Sequence, residues 1–198
     1  GDSNWTSDNN WVDNAVPSPS ADILFGDAPL TGSTQNVTMD GDKTVRSLTF
    51  DSDLNYNING TDTLTLGDPL QVGLPSINVN DYNGSQAQHH INVDMDIVEE
   101  LRINNYSFST LCLNGAMDTN GNEIDVNGTG ATNFNGDIIG SGDMNKNGTG
   151  ITTINNDNSD GSAWTGDVII NNGMVVVTTD GALGSTAGDT TVNDGGVL

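Results

Sequence analysis

Short apolar runs recur along the chain, and none is long enough to make a helix. They include Val45 to Phe50, Asp62 to Leu66, Ile77 to Val79, Ile91 to Ile97, Leu101 to Ile103, Leu111 to Leu113, Ile124 to Val126 and Gly173 to Val177. Alternation with period two, carried by β-branched and large aliphatic side chains, is strand chemistry. Turn signals separate the runs at intervals of roughly 10 to 15 residues. Many are Asn-Gly pairs: Asn59-Gly60, Asn83-Gly84, Asn114-Gly115, Asn127-Gly128, Asn135-Gly136, Asn147-Gly148 and Asn172-Gly173. Asn, Gly and Asp interrupt every window that could nucleate a helix. The predicted class is all-β.

Two all-β architectures compete for this pattern. Asn-Gly is the preferred two-residue hairpin turn, which favours an antiparallel β-sandwich. Strands this short suit a parallel β-solenoid better, because each one pairs with its counterpart one turn away. Corners of such a coil need small residues or ones that tolerate positive φ, and Asn, Gly and Asp supply them. The expectation is a β-solenoid over 61–198, with 1–60 as an N-terminal β-region or cap.

The charge narrows the partners. Against 27 acidic residues stand four basic ones, Lys43, Arg46, Arg102 and Lys146, for a formal charge of −23. That field repels phosphate backbones and anionic lipid headgroups, so no nucleic-acid partner is expected. High charge with modest hydrophobicity is also a signature of disorder, but the ordered alternation of the apolar residues argues against it. No run of 18 apolar residues occurs and Gly1 to Asn10 is polar, so no membrane insertion by this region is expected. The single cysteine, Cys112, excludes an internal disulfide framework.

Residues 140–198 run from GSGDMNKNGTGITTINND through AWTGDVIINNGMVVVTTDGALGS to GDTTVNDGGVL. Gly140, Gly142, Lys146, Gly148, Gly150, Trp164, Gly166, Gly173, Gly181 and Gly184 fall on a spaced glycine pattern. This stretch resembles the β-strand repeats of autotransporter passenger domains and related bacterial surface proteins. Met144, Ile151 and Ile154 stand where that pattern has leucines, and Trp164 where it has tyrosine. The resemblance implies a right-handed parallel β-helix displayed on the outside of a bacterial cell, usually as a scaffold. The membrane-embedded barrel common in such proteins is not among these residues, which implies further chain of the same protein or a released form.

Several side chains invite a chemical reading. Asp118, Asn120 and Asn122, and likewise Asp143, Asn145 and Asn147, place oxygens at alternate positions as calcium loops do. No bidentate Glu stands at the twelfth place of either run, so solenoid corners explain them more simply. Calcium also enters through the total charge, since a hard divalent cation offsets repulsion among closely spaced carboxylates. Trp5 and Trp11 could stack on sugar rings, or plug the end of the core together with Val12, Val16, Ile23, Leu24 and Phe25. His89 and His90 face opposite sides of a strand and cannot share one ion. Gly196, Val197 and Leu198 end the sequence in mid-strand, and an uncovered strand edge is a template for another chain.

Motifs for acyl transfer, zinc hydrolysis, redox thiols and phosphate binding are missing from the sequence. The expected function is therefore a non-enzymatic extracellular structural protein, a stalk or an end-to-end filament of its own copies. An adhesin or glycan-binding module is the alternative, and a polysaccharide-degrading enzyme ranks below both.

Overall fold

Inward and outward phases alternate as the sequence pattern requires: Leu64 and Leu66 are buried on either side of Thr65, and Leu101 and Ile103 on either side of Arg102. A computed structural model describes residues 3–27, 32–68, 70, 73–81, 84, 86–160 and 163–198. Asn83 of the Asn83-Gly84 pair lies outside the described residues. Two 3-10 turns, Asp8–Asn10 and Val12–Asn14, open the chain. The first strands are β1 (Ala21–Gly26), β2 (Thr34–Thr38), β3 (Lys43–Asp51), β4 (Asn55–Asn59), β5 (Leu64–Leu66), β6 (Ser76–Val79) and β7 (Gln88–Ile91). Then come β8 (Met95–Ile97), β9 (Leu101–Asn105), β10 (Thr110–Leu113), β11 (Met117–Asp118), β12 (Ile124–Gly128), β13 (Ala131–Phe134) and β14 (Ile138–Ile139). The last are β15 (Met144–Lys146), β16 (Ile151–Ile154), β17 (Val168–Ile170), β18 (Gly173–Val177), β19 (Thr190–Val192) and β20 (Gly196–Val197).

These strands coil into a parallel β-solenoid of about seven turns. The first face stacks β2, β4, β7, β10, β13, β16, β18 and β20 in that order. The second stacks the start of β3 with β5, β8, β11 and β14. The third stacks β1, the end of β3, β6, β9, β12, β15, β17 and β19. Strand β3 runs round a corner, pairing Lys43–Val45 with β5 and Ser47–Phe50 with β6. Every strand pair described is parallel, which excludes the antiparallel sandwich and the hairpin reading of the Asn-Gly pairs.

The core consists of columns of like side chains. On the third face Ile23, Leu48, Ile77, Ile103, Val126, Lys146 and Ile170 occupy one register position on successive turns. On the first face Ile58, Ile91, Leu113, Phe134 and Ile154 do the same. The stretch Ile91 to Ile97, expected as one strand, bends at Asn92–Asp94 and contributes to two faces, β7 and β8. Within residues 1–60, two 3-10 turns precede Ala21, and β1 to β4 pair in the stacked sheets of the coil.

Asparagine explains how the corners hold. Asn59, Asn92, Asn114, Asn135 and Asn155 stack at one corner, each amide donating to the side-chain oxygen of the one before, at 2.8, 2.6, 2.6 and 2.5 Å. Thr178 Oγ1 closes the series on Asn155 at 2.9 Å. The steps are 33, 22, 21, 20 and 23 residues, so the turns differ in length while the corner stays in register. A second corner carries Asn147, Asn171 and Asn193, with steps at 2.8 and 2.7 Å. An amide both donates and accepts, so a stack of them satisfies itself and each bond polarises the next.

Glycine is required where two corners touch. A Cβ on Gly166 would stand 2.0 Å from the Gly142 carbonyl oxygen, and one on Gly188 would stand 2.2 Å from that of Gly166. These contacts account for part of the spaced glycine pattern in 140–198.

Candidate functional site

The residues singled out from the sequence lie at separate places on the shaft. Trp5 is 2% exposed and sits beneath β2, its N–H donating to the Thr38 carbonyl at 2.8 Å. Trp11 packs on it, ring centroids 5.1 Å apart, and its indole N–H donates to the Trp5 carbonyl at 2.7 Å. Phe25 stands next to Trp11 at 6.4 Å and stacks on Phe50 at 5.2 Å. The two tryptophans therefore plug the core with Ile23 and Phe25, whereas Val12, Val16 and Leu24, expected in the same plug, are exposed, Leu24 because it points outward between Ile23 and Phe25 on β1. Trp5 presents no face to a sugar.

The acidic runs are engaged in turn-to-turn bonding. Asp143 to Asn147 is the extended segment around β15 rather than a loop, so its oxygens spread along the chain instead of converging. Asp143 Oδ1 accepts from the Asp167 N–H at 2.8 Å, and Asp167 Oδ1 from the Asp189 N–H at 2.8 Å. Asn145 donates to Glu123, and Asn147 donates to Asp125 at 3.1 Å. Burial, aided by the neighbouring Asp125, Glu100 and Asp143 charges, raises the Glu123 carboxyl above its usual range. Asp118, Asn120 and Asn122 do form a turn, with Asn120 at φ 49 and its N–H on Asp118 Oδ1 at 2.9 Å. Their amides point back to the previous turn: Asn120 donates to Asp96, and Asn122 to the Ile97 carbonyl at 2.9 Å. Among the described residues no three His, Cys, Asp or Glu side chains converge as a metal site.

Two groups lie in the core against the expectation for charged or titratable side chains. His89 is fully buried, stacked on Phe50, and neither ring nitrogen has a hydrogen-bond partner among the described residues. Desolvation holds its pKa down to about 4, opposed by Asp81 and assisted by His90. Lys146 takes an inward position in a column of Ile and Val. Its ammonium reaches the corner, donating to the Gly148 carbonyl and to that of Asn172 at 3.4 Å. Burial lowers its pKa to about 8. Cys112 faces outward between His90 and Asn133 yet is packed over, and burial pushes its thiol up. A covered, protonated thiol is inert.

Among the described residues the most exposed aromatic pair was not singled out in the sequence. Tyr106 and Phe108 are 53% and 76% exposed at the corner between β9 and β10. Ser107 and Ser109 alternate with them and are buried. Asn105 fixes this corner: its amide donates to the carbonyls of Ser109 and Ala131 at 3.0 and 2.8 Å, and its oxygen accepts from Ser107 Oγ at 2.9 Å. Ser109 Oγ donates to Asp81 at 2.9 Å. The signal was present in the phase of β9: with Leu101, Ile103 and Asn105 inward, Tyr106 and Phe108 must point out.

At the other end, Gly196–Val197 forms β20, paired to β18 through Gly173 and Met174. Val177, Val192 and Leu198 are 39%, 46% and 54% exposed. Val177 and Val192 pair with Ile154 and Ile170, whose side chains are fully buried one turn earlier.

Comparison of the chain with known protein families, with curated proteins and with solved structures gives no match.

Proposed function

We propose that this chain is a non-enzymatic structural shaft, the stalk of a bacterial cell-surface protein or a unit that assembles end to end with its own copies. The observation that carries this reading is the exposure of Val177 and Val192 at register positions that are dry on the preceding turn. Apolar area at the end of such columns, beside a strand edge, favours covering by the coil of a second copy. The asparagine stacks favour the same use, because each corner amide offers a donor and an acceptor along the axis.

Strand spacing sets the length. About seven turns at 4.7–4.9 Å give roughly 35 Å of shaft per chain. Sedimentation velocity and negative-stain micrographs over a concentration series test the self-stacking form. Rods with an axial repeat near that length support it, and Val192→Lys should abolish them. A monodisperse monomer at every concentration removes end-to-end assembly of copies. On this reading calcium acts by neutralising the acidic columns collectively, and a melting temperature unchanged between chelator and millimolar calcium would falsify it.

Tyr106 and Phe108 support a second reading, an adhesin whose rigid aromatic corner stacks on neutral glycans. An acidic surface disfavours anionic sugars, whereas an aromatic face suits an uncharged pyranose. Retention on a neutral glycan array that is lost in Tyr106→Ala/Phe108→Ala distinguishes it from a plain stalk.

A further inference from the structure

The Asn-Gly pairs are chemically alike but sit in different surroundings. At Asn114, Asn135 and Asn147 the side-chain amide donates to the previous turn, at 2.6, 2.6 and 3.1 Å, and the oxygen accepts from the next. The N–H of the following glycine is turned away from that side chain. Gly115, Gly136 and Gly148 donate to the carbonyls of Ile91, Leu113 and Val126. Asn172 departs from this arrangement. It lies one residue past the stacked Asn171, is exposed, and its side chain bonds to no other turn among the described residues. Its oxygen accepts from its own successor, the Gly173 N–H, at 2.8 Å, a proton that is shared with the Gly195 carbonyl at 3.1 Å.

We infer that Asn172 is a site of spontaneous backbone-assisted deamidation, and that the stacked asparagines are protected from the same reaction by the fold. The Gly173 nitrogen already lies against the Asn172 carboxamide, and the glycine brings no side chain to obstruct it. After solvent base removes its proton, that nitrogen attacks Asn172 Cγ. A C–N bond forms, the Cγ–Nδ2 bond breaks, and ammonia leaves with a proton from water. Water then opens the cyclic imide at either carbonyl, leaving aspartate or isoaspartate; the net change is amide plus water to acid plus ammonia, with no oxidant or cofactor. Proximity of this kind is worth orders of magnitude in rate. The stacked residues cannot follow. Their carboxamides are held on both sides, and reaching the following nitrogen breaks two turn-to-turn bonds.

The product matters to the coil. It adds a negative charge at the corner where Lys146 Nζ meets the Asn172 carbonyl, and isoaspartate inserts an extra backbone carbon between β17 and β18. The pairing of β18 with β16 and β20 is then out of register.

Incubation of the folded chain at mildly alkaline pH, followed by peptide mapping and isoaspartyl methyltransferase labelling, tests the inference. Asn172 should convert at least about tenfold faster than Asn114, Asn135 or Asn147. In urea, where the stacks are gone, the four sites should converge on similar rates. Equal rates in the folded chain, or conversion of a stacked asparagine first, overturn the assignment. Retention of the native ratio in urea overturns the protective role of the fold.

Discussion

The imidazole of His89 lies against the ring of Phe50, centroids 4.7 Å apart and planes 18° from parallel, continuing inside the coil an aromatic series that begins at Trp11. It makes the shaft acid-sensitive in a defined window. The folded pKa is about 4 and that of the unfolded chain about 6.5, so the unfolded chain binds the proton more readily between them. Stability is full above pH 6.5 and falls as pH drops through the window, by up to about 3 kcal/mol below pH 4. Urea unfolding from pH 7 to pH 4 should show this loss, and His89→Leu should remove most of it. An unchanged slope in the variant would show that other groups carry the acid response.

Lys146 works in the alkaline direction. Its folded pKa of about 8 lies below the usual 10.5, so the charged form is disfavoured in the coil and the unfolded chain holds the proton longer. Stability should rise as pH increases from 8 towards 10.5. Discounted for solvent reaching the corner, the rise is about 1–2 kcal/mol. Lys146→Met should flatten it. A steeper rise in the variant contradicts the assignment.

Asn135 tests the corner stack. It donates to Asn114 at 2.6 Å and accepts from Asn155 at 2.5 Å. Asn135→Ala leaves a donor and an acceptor unpaired on the turns either side, at a cost of about 2–3 kcal/mol by denaturant unfolding. A double-mutant cycle with Asn114→Ala should return a coupling of about 0.5–1.5 kcal/mol. Strict additivity argues that the stack is geometric rather than energetic.

Gly166→Ala places a methyl 2.0 Å from the Gly142 carbonyl oxygen and 2.8 Å from the Trp164 indole nitrogen, which itself donates to that carbonyl at 2.7 Å. Both neighbours are fixed, so the turns must separate. Expected destabilisation exceeds about 3 kcal/mol, read as a fall in melting temperature with loss of the buried tryptophan emission. Thr186→Ala, in an exposed turn, is the near-neutral control.

Much of this was legible in the residues. The runs at Val45 to Phe50, Ile77 to Val79, Leu111 to Leu113 and Ile124 to Val126 lie in strands because burial on one face imposes period two locally. Ile91 to Ile97 was not legible as two strands. Its alternation persists through the bend at Asn92–Asp94, and what turns the chain there is partners 22 and 33 residues away, in the Asn92 bonds to Asn114 and Asn59 and the Asp94 carboxylate accepting from Ala116. The spaced oxygens of Asp143, Asn145 and Asn147 looked like a loop for the same reason: sequence shows their spacing but not the neighbouring turns that take them up.

Composition and periodicity by themselves determined an all-β chain with short strands and asparagine- and glycine-rich corners, since strand phase and positive-φ tolerance are properties of single residues and their nearest neighbours. Tertiary structure decided which asparagines stack, that His89 rather than His90 is entombed, that Trp5 closes the core, and that Tyr106 and Phe108 stand in solvent. Those outcomes depend on register between turns of unequal length, and register is set by contact across space, where a chain written in one dimension carries no distance.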